Sequence, residues 1–485
     1  MQHHSLTSLH VDPDVMTRRA EFLGGNSLED ATCVFLVANG ISPEEEMPPF
    51  PPRELAQAVP GWEIFRSLWD RNSLVVDLDV EYVNFDFPAE PYLDPERIFT
   101  LQQPVEAGIE EFLGKFGIFP LHLMSGRGHH FLWRVRRDSP AFTALGKLGR
   151  VPPGLAALDA QPHPPGSESI DPALGSAYHG LGQVMEFVAQ HIQVLCADRC
   201  DVPLEITDTA AGPRHRHREI ISLDLSEYGD PLGWRCVRIP FSPYLKPKKQ
   251  RAQLGERLMA EVPQMISVPK HDLTTLAAAR LLWDLDAAAD LARRADCRIP
   301  DFSEAMEELI GEYRASPLAK FHLWFYSQEQ EPMAARHAIY DQVPEEPLPP
   351  CVRTILSRPA GLLLNPSGLQ RVTRVMLALG WHPRHIAGLI SSRYERDANW
   401  GRGWSASDPG HRADFYVRLF SGAFIAGNDN LVSFNCRSAQ EAERCFNTEC
   451  SYNLLDYKHS LIERRSHERL GGRPLHRLFL PAALP

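Results

Sequence analysis

Three carboxylates two residues apart, Asp77, Asp79 and Glu81, stand in the segment LVVDLDVEYV (Leu74 to Val83). In an extended strand the side chains alternate, so Val76, Leu78 and Val80 take one face and the three acids the other. Residues two apart along a strand are separated by about 6–7 Å, which lets neighbouring carboxylates lean onto divalent ions roughly 3.5–4 Å apart. A second segment, EIISLDLSEY (Glu219 to Tyr228), repeats the pattern: Ile221, Leu223 and Leu225 are apolar and Asp224 falls opposite. Between the two lies MSGRGHHF (Met124 to Phe131). Gly126 and Gly128 free the backbone to approach an anion, Ser125 adds a hydroxyl, and Arg127, His129 and His130 supply charged or polar donors, so a triphosphate is the natural ligand. Taken alone, this segment also fits a hairpin turn with surface histidines, and acidic strand faces are common. The occurrence of all three in this order is far harder to reach by chance.

The elements that must position these residues read as mixed α/β up to about residue 260. Val105, Ile109, Phe112, Leu113 and Phe116 predict a helix over Pro104 to Phe116 that stops at Gly117, and IFPLHLM follows as a strand. A second helix is expected over Gly182 to Leu195. From about 265 to 340 the pattern is helical, clearest in LAAARLLWDLDAAADLARRA, and DQVPEEPLPP predicts a stiff linker. The last region carries the helical segments LQRVTRVMLALG and HIAGLISSRY. The expected division is a catalytic domain over 1–262, a helical connector and proline-rich linker over 263–345, and a helical cysteine-bearing domain over 346–485.

Length and composition set the outer limits. A chain of 485 residues suggests two or three domains at about 150 residues each, and 44% hydrophobic residues suffice for real cores. No apolar run approaches the roughly 20 residues that span a bilayer, and the opening MQHHSLTSLH lacks the apolar core of a signal peptide. The expectation is a soluble, cytoplasmic protein without a membrane partner. Nine irregularly spaced cysteines point to reduced thiols or metal ligands rather than a secreted disulfide framework. Cys196 and Cys200 read as a packed helix end in preference to a zinc site.

A net charge of −12 argues against wholesale coating of nucleic acid but permits a local basic groove. Candidates for such a groove are RHRHR (Arg214 to Arg218), KPKKQR (Lys246 to Arg251) and the run from His459 to Arg477. Arg371, Arg374, Tyr394 and Trp400 combine charge with aromatic rings in a way that suits single-stranded backbone and stacked bases. Equally, Arg371 and Arg374 fit the exposed face of one helix.

The order hhDhD, then SGxGxH, then hD followed by an RhPhS segment resembles the archaeo-eukaryotic primase superfamily over roughly residues 70 to 250. The resemblance implies an α+β fold: a primase-type catalytic domain with an RRM-like mixed sheet, followed by a mostly α-helical C-terminal domain. It assigns Asp77, Asp79 and Asp224 as catalytic ligands of two Mg²⁺ or Mn²⁺ ions, with Asp230 a rival for the third. It makes His130 the nucleotide-binding histidine, with His129 the alternative. Ser125, Gly126, Arg127 and Gly128 join it around the nucleotide, and VRIPFSPYLK puts Arg238, Ser242 and Lys246 where the family binds phosphate or nucleotide.

Farther on, Cys351 follows LPP, and Cys436, Cys445 and Cys450 form a later group ending CFNTEC. This spacing is similar to the iron–sulfur domain of the primase large subunit, and four thiolates suit a [4Fe–4S] cluster, or zinc as the alternative, with unligated thiols as the plain case.

The implied function is template-directed nucleotidyl transfer by a DNA primase-polymerase on single-stranded DNA, using nucleoside triphosphates. A helicase or other replication or defence proteins fit as further partners. Alternatives are a gap-filling repair polymerase that does not prime, a non-catalytic single-strand-binding protein derived from a primase, and a metal-dependent nuclease. The nuclease has no need of the SGRGHH turn.

Overall fold

The computed structural model describes residues 4–40, 49–151, 172–209, 218–229, 236–396, 409–441, 444–447 and 449–471. It is an α+β chain with a mixed sheet and many helices. Its internal contacts divide it into two units, 1–204 with 220–311, and 205–219 with 312–485. Three regions were expected, and the expected connector 263–345 is split between the two units. The reason lies in the pairing of that segment: Val268 and Pro269 pair with Met124 and Leu123, and Lys270 forms an ion pair with Glu106 at 2.5 Å, which ties it to the first unit.

The first unit is built on a sheet that includes the long strand β4. The strands in chain order are β1 (Phe35–Ala38), β2 (Pro49–Phe50), β3 (Glu63–Ser67), β4 (Ser73–Asn84), β5 (Leu121–Ser125), β6 (Gly128–Arg136), β7 (Leu204–Ile206), β8 (Glu219–Asp224), β9 (Cys236–Arg238), β10 (Pro243–Tyr244), β11 (Met265–Ile266) and β12 (Val268–Pro269). The main sheet runs β12-β5-β6-β4-β8 with short β7 at its edge, so β4 lies between the glycine hairpin and the strand that carries Asp224. A smaller sheet, β2-β1-β3-β9, holds Glu63 and Arg238.

Alternation along β4 follows the apolar pattern. Leu74, Val76, Leu78 and Val80 are at most 1% exposed. The opposite face is graded in depth, with Val75 and Asp77 buried and Asp79 and Glu81 half-buried. The helix Pro95–Gly114 packs Phe99 edge-on to His129, on the face away from the acids. It begins well before the expected Pro104, which sits inside it. The helix Pro172–Cys196 likewise outruns its expected start and ends with Cys196 fully buried. A methyl at Gly108 would collide with the Cys196 sulfur, so this cysteine is a packed helix end. The 275–292 stretch forms two helices, Thr275–Leu281 and Leu285–Ala292, the second capped by Asp284.

The second unit is mainly helical: Pro350–Ser357, Pro366–Ala378, Pro383–Tyr394, Pro409–Ala426, Cys436–Glu441 and Leu454–Gly471. The proline-rich 341–350 stretch is not a free linker. Leu348 is 3% exposed, Tyr457 donates its hydroxyl to the Pro347 carbonyl at 2.7 Å, and Tyr452 does the same to Glu346. Arg374 grips Asp429 through two hydrogen bonds of 2.8 and 2.6 Å, and both are buried. Tyr394, 1% exposed, donates to the Leu363 carbonyl at 2.6 Å. Neither is offered to a nucleic-acid strand, which corrects the template-binding expectation for both. Trp400 and Arg214 to His217 lie outside the described residues.

Candidate active site and cysteine centre

Register in the β4–β6 ladder brings two of the three sequence segments together. Asp79 stands opposite His130, Asp77 opposite Leu132, and Glu81 opposite Gly128. His130 Nδ1 lies 3.1 Å from Asp77 Oδ2 and 3.7 Å from Asp79 Oδ1. Burial works against its charge, but Asp79 and Asp77 more than compensate and raise its pKa to about 9, so the imidazolium is the form present at neutral pH.

His129 takes the other face. It is 1% exposed, accepts or donates a 2.8 Å hydrogen bond with His122, and burial lowers its pKa to about 4. Of the two adjacent histidines, His130 is the one that meets the acids. Alternation decides this, because neighbours on a strand cannot share a face.

The third segment arrives on β8. Asp79, Glu81 and Asp224 offer carboxylate oxygens that all lie within 4.8 Å of one another. The expected trio was Asp77, Asp79 and Asp224. Glu81 joins Asp79 and Asp224 in this group, while Asp77, 2% exposed, lies 3.1 Å from His130 Nδ1. Burial raises the Asp79 pKa well above the usual carboxylate value; His130 opposes the shift, and Glu81, Asp77 and Asp224 add to it. That crowding of negative charge is relieved by a cation, and three hard oxygen donors suit Mg²⁺ or Mn²⁺. Asp230 lies outside the described residues.

The glycine segment is a two-residue hairpin turn, with Ser125 paired to Gly128 across Gly126 and Arg127. Its glycines answer to packing. A Cβ at Gly128 would strike the Val80 carbonyl oxygen, and one at Gly126 would run into the Tyr244 ring. Neither glycine has positive φ. Ser125 is 5% exposed at the end of β5.

Four cations gather nearby around two carboxylates. Arg127 and Lys246 both pair with Glu81, the latter at 2.7 Å. Arg238 and Lys249 both pair with Glu63, the latter at 3.4 Å. Burial opposes ionisation of Glu81, yet Arg127 and Lys246 hold its carboxyl well below the usual range. Tyr244 lies within reach of both groups: Arg238 stacks on its ring at 4.5 Å, and Arg127 and Glu81 act on its hydroxyl. Ser242 does not join them. It is fully buried and its Oγ accepts the Ile64 N–H at 2.7 Å, so the predicted phosphate contact is already spent on the fold.

In the second unit the four predicted cysteines converge. Cys351 is 8% exposed. Burial pushes its thiol up to about 11; Arg371 opposes this, and Cys436, Cys445 and Cys450 each add to it, which places all three sulfurs near the first. The backbone N–H of Leu454, first residue of its helix, donates to Cys436 Sγ at 3.3 Å. Arg371 therefore borders the thiols, donating to the Arg444 carbonyl at 3.0 Å, and is not the exposed helix face that its spacing also allowed. Among the described residues, the metal-compatible groups within 4.8 Å contain carboxylates, and the four cysteines are not one of them.

Sequence reasoning passed over Glu81 and Lys249 as site residues. Glu81 was in view as the third member of the comb, and only its approach to Asp79 and Asp224 shows that it belongs to the central trio. Comparison with protein-family models, curated proteins and solved structures finds no match for this chain.

Proposed function

We propose that this chain is a template-directed nucleotidyltransferase, a primase-polymerase that copies single-stranded DNA from nucleoside triphosphates. The observation that carries this reading is the meeting of Asp79, Glu81 and Asp224 within 4.8 Å, beside His130 and the cationic Arg127, Lys246 and Arg238. These acids would hold divalent ions, which would supply charge neutralisation and activation of a 3′-hydroxyl. Asp77 fixes the His130 ring through Nδ1, which leaves Nε2–H for a phosphate oxygen. Arg127, Lys246 and Arg238 provide the charge-assisted hydrogen bonds that a triphosphate needs.

The primase-type fold with an RRM-like sheet belongs to the same proposal, supported by the β4–β6–β8 placement of the motifs. So does an iron–sulfur cluster, or zinc as the alternative, on Cys351, Cys436, Cys445 and Cys450, supported by their convergence. The N–H from Leu454 stabilises thiolate charge at Cys436, as hydrogen bonds to cluster sulfurs do.

The test is incubation with single-stranded template, Mn²⁺ and labelled nucleotide, with and without a primer. Longer products support the proposal, and products from unprimed template support initiation. Shortened template would replace it with a nuclease, and unchanged template with a binding protein.

A further inference from the structure

Glu81 has two engagements that compete for the same oxygens. Its Oε2 is taken by Arg127 and its Oε1 by Lys246 at 2.7 Å. Yet it lies within 4.8 Å of both Asp79 and Asp224, in the one three-acid group built from β4 and β8. A divalent ion at that group claims an oxygen of Glu81, and a lysine ammonium on the same oxygen is repelled by the ion. The two cations are not equally free to leave. The Arg127 side chain is 10% exposed, and its backbone carbonyl is tied to Tyr82 N–H and Gln102. The Lys246 side chain is 34% exposed and opens a short helical turn.

From this geometry, and resting on the nucleotidyl-transfer reading above, we infer that Glu81 is a partner-switching residue: metal binding draws it from Lys246, and the released ammonium engages the triphosphate. Metal and nucleotide are thereby coupled. Before the ion arrives, Glu81 occupies the very cation that phosphate needs; afterwards it holds the ion. The same residue keeps the basic border from capturing phosphate in the absence of metal. Lys249 pairs with Glu63 at 3.4 Å and not with Glu81, so it has no such exchange and serves as an internal reference.

The test uses the intact chain and needs no turnover. Lysines are acylated with a soluble active ester and quantified by mass spectrometry, without metal, with Mn²⁺, and with Mn²⁺ plus inorganic pyrophosphate, while Mn²⁺ binding is followed by electron paramagnetic resonance. An amine held in an ion pair acylates slowly. Labelling of Lys246 is expected to rise on Mn²⁺ binding by a factor within the range of linked sites, about 5-fold or more, and to fall again with pyrophosphate. Lys249 is expected to stay constant. In Glu81→Gln, Lys246 should label fast without metal and ignore Mn²⁺.

A second measurement compares metal-free pyrophosphate affinity. Glu81→Gln should gain more than Asp79→Asn, because each removes one negative charge but only the former frees Lys246. Bound Mn²⁺ with unchanged Lys246 labelling, or equal gains in the two variants, would overturn the switch and leave the polymerase reading standing. Failure of the wild-type chain to bind Mn²⁺ at all would overturn both.

Discussion

At the scale of single residues, the site is organised by depth. Asp77 is buried against His130, while Asp79 and Glu81, two and four residues farther along the same strand, rise towards Asp224. This separates roles that the spacing alone makes equivalent. Asp79→Asn removes a carboxylate from the central trio and should abolish nucleotide incorporation. Asp77→Asn removes the group that orients His130, and the expected loss is smaller, about 10- to 100-fold, as for the partners that orient a histidine at its working face. Primer-extension rates on correctly folded variants check the ranking; equal losses would place Asp77 in direct contact with the ions.

A residue-scale prediction also attaches to the second unit. Arg374 and Asp429 form a buried two-point ion pair, so Arg374→Ala strands a buried carboxylate and should cost about 3–5 kcal/mol of stability. Denaturant melts would show this, whereas a template-binding arginine would leave stability untouched and weaken DNA binding.

Elements bring their own constraints. The β5–β6 turn is packed so tightly that Gly128→Ala pushes a methyl into the β4 backbone at Val80. Because backbone cannot step aside as a flexible side chain does, the expected cost is at least the ~1–3 kcal/mol of overpacking, seen as a lowered Tm together with weakened nucleotide binding. The helix Pro383–Tyr394 is capped by a histidine: His382, 5% exposed, accepts the Arg384 N–H through Nδ1. Burial first, then His385 and Arg384, lower its pKa to about 3.

The folded state therefore binds this proton more weakly than the unfolded chain does. The stability tied to neutral His382 is complete above pH ~6.5 and is lost as pH falls towards 3, at up to about 1.4 kcal/mol per pH unit. His382→Asn keeps a capping oxygen without the titration, so its melts should depend less on pH between 6.5 and 4.

Across the whole molecule, the two units carry separate chemistries, an acid-and-histidine site in one and a four-thiol centre in the other. Loss of the second should not erase the first. Anaerobically prepared wild type is expected to contain iron and absorb broadly near ~400 nm. Cys351→Ser should lose both, still extend a primed template, and fail on an unprimed one. Iron-free wild type with stoichiometric zinc would replace the cluster with a zinc site.

The local patterns were legible in the sequence because they obey local rules. Alternation over Leu74 to Val83 fixes which side chains share a face, and the same rule separates His129 from His130 once the strand is recognised. The helical character of the second half was readable from its apolar periodicity. Tertiary structure alone decided what depends on approach: that Glu81 meets Asp79 and Asp224, that Ser242 is consumed by Ile64, that Arg374 faces Asp429, and that the proline-rich 341–350 segment lies packed within its unit. A period of two states which face a residue takes, but not how far along that face the partner strand ends. That distance is set by pairing between segments more than a hundred residues apart, and no local signal carries it.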